Sequence, residues 1–521
     1  MPGYALAYGI FMLYLHRACR LFSDGLPNQT QGRLKNSIPP GQISLSDYRM
    51  NTQKLIGYAL GPLGSAAASA IALPLISWYF SAEDIGRIVL LQTVAGMVLL
   101  VMGLGLDQAY IREYHAAENK PALFKNIFIL PLALMIAACV ALLFKLELPA
   151  QWILNLSAPS LGLLCIIFIF TTFITRYLST ILRMQERAYA FSLSQLIPKI
   201  LILLLILLYI FFNLPKTTFN LILAYALAQV LTVAVLALQT RSEVCQAMRS
   251  SMSLPLMRET LRYGLPLAFG GLAYWGLASI DRFLLKQLAD LSELGVYSMA
   301  VSFGAIALIF QSIFSTIWAP MVFKWVKEGV NLDKISGIVD VMLALCVAIL
   351  CLIGLFSPLV PLLLPEKYAP VQFILLSSIL FPLLYTLTEV TSIGINVSKR
   401  TWLITVFSLL ALLCNLGLLY LLIPKLGARG AAMATAASFW LFFVMKTEAS
   451  LRLWQPLPRL KVYGITFLCL IVCLAYTYAG NRDNYFAFAG VWLITLAWLG
   501  LHHKQGLRHI FAALSGRLKQ R

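Results

Sequence analysis

From Ile56 onward the chain is a succession of about fourteen apolar runs of some 20 residues, parted by short polar connections. The first set covers approximately 56–79, 87–106, 124–144, 160–182, 191–212 and 218–238. The second covers approximately 264–284, 296–319, 335–356, 370–394, 401–423, 428–447, 461–479 and 486–502. Each run is long enough to cross roughly 30 Å of hydrocarbon as a helix. Gly61, Pro62 and Pro74 interrupt the first, and such breaks are tolerated where neighbouring helices or a cavity re-satisfy the backbone. The pattern predicts an all-α polytopic membrane protein.

The connections carry charge unevenly. Of the 40 Lys and Arg residues, the N-terminal stretch, the even-numbered connections and the tail hold 31. The odd-numbered connections hold Arg87, Lys145, Lys216, Arg282, Lys286, Lys367, Lys425, Arg429 and Arg482. A basic excess on alternate loops marks the cytoplasmic face. It predicts a bacterial inner-membrane protein with both ends in the cytoplasm.

Residues 1–49 stand apart. Tyr4 to Leu15 is too short a run to span, no charge precedes it as in a signal peptide, and residues 23–48 are polar. They read as a dispensable extension, disordered or translated from an upstream start. A six-helix bundle is expected over 50–240, a basic cytoplasmic linker over 241–262 and a second bundle over 263–448. Two additional spans fill 449–503, and 504–521 is a basic tail with the pattern of a short amphipathic helix on the inner leaflet. The bundles look duplicated. Asp84-Ile85-Gly86 and Glu293-Leu294-Gly295 place an acid, a hydrophobe and a glycine at the same turn of each half. Two six-helix halves about a shared cavity is a transporter architecture.

Composition narrows the chemistry. The chain is 60% hydrophobic and 12% charged with a net charge of +19; on alternate loops that charge suits anionic lipid, so nucleic acid is not an expected partner. The nine cysteines sit singly and show no metal-ligand spacing. There is no P-loop, and no histidine pairs with Cys or carboxylate at a metal or catalytic spacing. A transporter, and not an enzyme, is expected, with no cofactor. A membrane polysaccharide polymerase or ligase is the alternative of another class, against which the short odd-numbered loops argue.

Three stretches carry a family resemblance: the opening span into Glu83-Asp84-Ile85-Gly86; Asp281-Arg282-Phe283-Leu284-Leu285 followed by Leu294-Gly295-Val296-Tyr297-Ser298; and Ile423-Pro424-Lys425-Leu426-Gly427-Ala428-Arg429-Gly430-Ala431-Ala432. In order and spacing over about 52–500 the chain resembles the Wzx-type O-antigen flippases of the multidrug/oligosaccharidyl-lipid/polysaccharide (MOP) exporter superfamily. The resemblance implies movement of an undecaprenyl-diphosphate-linked oligosaccharide from the cytoplasmic to the periplasmic leaflet by alternating access. It also implies a polysaccharide polymerase and chain-length proteins as partners, and leaves a proton or sodium gradient as the driving force. A cation-coupled drug extruder and a lipid II flippase of the same superfamily are the alternatives.

An anionic cargo calls for a cationic cavity, and ionisable groups inside spans are its candidates because they are costly in lipid. Arg176 lies in the fourth span, and Arg183, seven residues on, shares its face. Lys199 follows Pro198 in the fifth span, and Arg87 enters the second from the periplasmic side, where it lines a vestibule or offsets Glu83 and Asp84. These four are the expected headgroup contacts. Glu389, deep in the tenth span, needs a cationic partner or a proton and is the leading coupling residue. Asp281 and Arg282 are expected as a gate or interface element that need not pair with each other, and Asp107 and Arg112 as helix-end structure. Tyr274 and Trp275 are candidates for stacking on sugars, against the plainer role of an interfacial aromatic belt.

Overall fold

The computed structural model describes residues 52–328, 334–455, 459–481 and 483–502; the expected extension, Arg482 and the basic tail lie outside them. All regular elements there are helical. The first group comprises α1 (Thr52–Tyr79), α2 (Ala82–Gly103), α3 (Leu106–Glu113), α4 (Lys120–Leu143), α5 (Pro159–Met184), α6 (Ala188–Phe211), α7 (Thr218–Gln239) and the short α8 (Arg241–Arg249). The second comprises α9 (Leu254–Leu288), α10 (Leu291–Phe303), α11 (Ala305–Glu328), α12 (Lys334–Phe356), α13 (Val371–Thr391) and α14 (Trp402–Leu453), followed by α15 (Arg459–Ala479) and α16 (Tyr485–His502).

Among the described residues ten helices are long and apolar enough to cross a membrane, and the fourteen expected spans are compatible with this set. The count differs because α14, at 52 residues, joins two expected spans, the eighth expected span is divided between α10 and α11, and α9 and the short α16 fall outside the ten. α14 bends at Gly427, whose φ of 55° and ψ of −129° fall in a region open to glycine. Large apolar side chains face outward along the spans, among them Ile136, Val140, Leu204, Leu413 and Leu468. A soluble protein would bury such a surface; here it meets lipid tails. The chain is a multi-pass membrane protein.

Polar residues at the helix starts satisfy the first free amides, which have no partner in the helix itself. Ser81 and Asp84 form a reciprocal capping box on α2, and Asp290 accepts from the Glu293 amide at 2.7 Å on α10. Thr217 accepts from Asn220 on α7.

Within the first group α1 packs on α6, and α5 and α6 on α7; within the second, α9 and α13 both pack on α14. The two groups meet where α2 lies against α10 and α9, and α1 against α11. The polar connection 241–262 is largely helical. Its first part is α8, its last part is the opening of α9, and Ser250–Ser253 joins them. Lys125 of α4 donates to the carbonyls of Met248 and Ser250, and Asn126 bonds Ser251 and Ser253, so α8 is fastened to the first group.

Candidate functional site

The seam between the groups is closed by glycine. A Cβ on Gly86 would overlap the Leu291 carbonyl oxygen, and one on Gly295 would overlap that of Ala82. Each half's glycine thus meets the first turn of the other half's opposing helix. The acids of the same motif point back into their own half. Asp84 accepts from Thr218 at the start of α7, while Glu293 accepts from the Ala428 amide at 2.7 Å, just past the Gly427 bend. One pattern thus does two jobs: the acid pins the last helix of its own half, and the glycine lets the halves touch. Nearby, Lys367 donates to the Phe80 carbonyl at 2.6 Å and Trp78 to that of Leu363 at 3.1 Å, tying α1 to the loop before α13. Burial lowers the pKa of Lys367, with the Asp84 charge opposing. At the other end of the seam Gly105, at φ 68°, lies against the Gly264 carbonyl.

The expected cations divide into distinct environments. Arg87 is buried, and its guanidinium bonds Glu83, Asp84, Thr218 and the Leu154 carbonyl. Of the two roles considered for it, the geometry matches the offset of Glu83 and Asp84; a vestibule-lining cation would keep donors free. Arg176 donates through Nε and Nη2 to Asp107 at 3.2 and 2.9 Å. That corrects the reading of Asp107 as helix-end structure alone. The Gly103-Leu104-Gly105 turn swings Asp107 beside α5, next to the seam. Arg176 keeps 42% of its side chain exposed. Arg183 lies over the Phe191 ring, and Arg112 over Tyr263 of the other half at 4.1 Å. Lys199, on α6 where that helix meets α1, has neither hydrogen bond nor ion pair among the described residues.

In the second half two carboxylates, Asp281 and Glu389, lie within the helix bundle. Asp281 is 1% exposed and accepts from the Tyr297 and Thr435 hydroxyls. It also lies 3.5 Å from Arg282, so these neighbours do pair, because the flexible arginine folds back along the helix. Glu389 lies near Tyr385, Tyr274 and Lys446. Lys446 was missed in the sequence because it falls at the expected end of the twelfth span, where a lysine reads as a helix-end anchor. α14 in fact continues to Leu453 and carries Lys446 inside. Tyr274 lies at a tilt against Tyr385, and Trp275 lies near Gly96 of α2 and 6.0 Å from Phe283, so both rings pack against other side chains of the bundle. A small apolar cavity between α12, α13 and α15, lined by Leu343, Cys346, Leu383 and Cys469, has no charged residue in its lining. No cluster of three or more potential metal ligands occurs among the described residues.

The sequence matches the family described as polysaccharide biosynthesis protein over residues 52–326. The chain belongs to that family. The fold resembles lipid II flippase MurJ in an inward closed conformation, with a TM-score of 0.65, 14% identity and coverage of 88% of this chain and 100% of that one. It also resembles an inward-facing multidrug resistance MATE family transporter of the MOP superfamily, at 0.57 and 17%, covering 77% and 96%. A third likeness is a MOP superfamily transporter from Pyrococcus furiosus with a binding pocket of reverse polarity, at 0.52 and 14%, covering 79% and 96%. At such identities the likeness carries the fold, which is that of the MOP exporters. No curated protein matches by sequence.

Proposed function

We propose that this member of the polysaccharide biosynthesis family is a flippase. It would carry an undecaprenyl-diphosphate-linked oligosaccharide, such as an O-antigen, capsule or exopolysaccharide unit, across the bacterial inner membrane, with both of its ends in the cytoplasm. The observation that carries this reading is the pair of helical halves joined along a glycine-lined seam, with Arg176 partly open beside it and Lys199, inside a span, without an ion pair among the described residues. A cation without a counter-charge inside a membrane protein is costly, and a diphosphate would offset that cost. Arg176, Lys199 and Arg183 are the headgroup contacts in this reading. Separation of the halves along α2, α9 and α10 would supply alternating access. Asp281 and Glu389 are the coupling groups for a proton or sodium gradient. A polymerase and chain-length proteins would take up the product. The reaction is translocation, with no covalent chemistry.

The test is deletion of the gene, with surface polysaccharide, lipid-linked oligosaccharide and drug sensitivity measured together. Loss of polymer with build-up of the lipid-linked unit supports the reading and identifies the cargo. Normal polymer with sensitivity to cationic drugs replaces it by a drug extruder, and accumulation of lipid II reassigns the cargo.

A further inference from the structure

α13 is enclosed by α10, α11, α12, α14 and α15. From Val371 to Thr391 every residue is buried except Phe381, Tyr385 and Glu389. Spaced by four, those three form one stripe. Since helices surround α13, the stripe opens on an internal cleft and not on lipid. Across the cleft Tyr274 of α9 stands with its ring 5.4 Å from that of Tyr385, and the Tyr385 hydroxyl interacts with both Tyr274 and Glu389. Behind Glu389, on α14, Lys446 is 5% exposed, and its ammonium lies 5.1 Å from the Phe442 ring centroid. Thr391 and Thr447 bond at 2.6 Å on the same pair of helices.

The charged and titratable groups facing Glu389 are therefore Tyr274 from α9, Tyr385 from its own helix and Lys446 from α14. Glu389 and Lys446 compensate each other at low dielectric, yet no direct ion pair joins them among the described residues. A contact pair would have closed the site. Here the ammonium keeps donor capacity, and its counter-ion sits on the side open to the cleft. An anion that reaches Lys446 from the cleft comes within range of the Glu389 charge. Two anions sharing one cation repel, and the carboxylate is the one that can relieve the repulsion by binding a proton.

We propose that Lys446 is the headgroup-binding cation of the second half, and that Glu389 is the counter-ion which an incoming phosphate group displaces. As Glu389 gives up Lys446 it takes one proton from water, so the occupied cleft becomes more negative by one charge less than the cargo carries. Tyr274 and Tyr385 bridge the two states by donating to whichever anion is present. The inference rests on the flippase reading. It adds a cargo contact that lies in the half opposite Arg176 and a route by which cargo and proton binding are linked.

The experiment uses the full-length protein in nanodiscs, with undecaprenyl diphosphate as the probe and undecaprenol and inorganic pyrophosphate as controls. Binding is read by fluorescence, and proton uptake by an indicator dye in weak buffer. The expected result has opposite signs at the two positions. Lys446→Gln weakens binding of the diphosphate lipid about tenfold or more, and Lys446→Arg restores it. Glu389→Gln tightens binding several-fold, because the competitor is gone, and abolishes the uptake of about one proton seen in the wild type. Equal weakening by both Gln variants, with wild-type binding restored in the double variant, makes the pair structural and overturns the exchange. Pyrophosphate binding as tightly as the lipid overturns a lipid-headgroup role. Failure of the wild type to bind the diphosphate lipid above undecaprenol instead overturns the flippase reading, which separates the two failures.

Discussion

The two halves share a frame and differ in what they charge. In each, the acid of the acid-hydrophobe-glycine motif pins the start of the half's last helix, at Thr218 in one and Ala428 in the other. In each, the glycine lets the opposing half approach. The interiors have diverged. The first half presents cations: Arg87 fully engaged, Arg176 bound to Asp107 but partly open, and Lys199 without an ion pair among the described residues. The second half carries carboxylates, with Asp281 buried and held by hydroxyls and Glu389 partly exposed beside Lys446. The repeat offset that relates Gly86 to Gly295 carries Arg176 onto Tyr385, one turn from Glu389. Contacts that hold the halves together tolerate little change, because backbone meets backbone there. Interior charge is free to specialise as long as each half balances it.

The largest expected effect tests the shared frame. Gly86→Val and Gly295→Val should each abolish polysaccharide export, because a Cβ at either position overlaps a carbonyl of the other half. Export and membrane protein level are measured in parallel, and wild-type export by either variant would break the symmetry of the seam. The next effect tests the difference. Arg176→Ala should reduce export about tenfold at unchanged protein level, as expected for a lost charge-assisted contact. Asp107→Ala should reduce it less, since it frees the arginine instead of removing it. Equal export by Arg176→Ala and wild type would remove this residue from the site.

Arg87 should behave in the contrary way. Its replacement by Ala leaves Asp84 buried without its charge partner and should cost about 3 kcal/mol of stability. A lowered Tm with normal transport per folded molecule is the outcome that sharpens the contrast with Arg176. The smallest effect concerns the connection between the two groups. Burial pushes the Glu243 carboxyl up, but hydrogen bonds from Ser242 and Gln185, with the Arg187 charge, outweigh it and hold the group below its ordinary value of 4.5. A depressed carboxyl stabilises the fold above that value, and the contribution fades as pH falls through the folded one. Gln185→Ala should therefore cost under about 1 kcal/mol near neutral pH, where the bond is intact. The deficit should vanish in strongly acidic buffer, as a pH series of thermal melts would show.

Some of the site was readable in advance. Hydropathy runs gave the helical membrane class, because a spanning helix must satisfy its own backbone and face lipid along its length. The paired motifs near Gly86 and Gly295 pointed to duplication, and Glu389 stood out as a carboxylate in an apolar run. Partners were harder. Lys446 looked like a helix end because sequence boundaries are soft, and only α14's extension to Leu453 puts it inside. Asp107 gave no sign of meeting Arg176, 69 residues away, since the left-handed turn at Leu104 and Gly105 decides where α3 points.

The sequence by itself determined that this chain is a stack of apolar helices with charge on alternate connections, because transfer of each segment into hydrocarbon is a local property of its residues. Tertiary structure alone decided which charges are spent and which remain open. That outcome depends on which distant side chains share a low-dielectric space, and a one-dimensional pattern does not encode those neighbours.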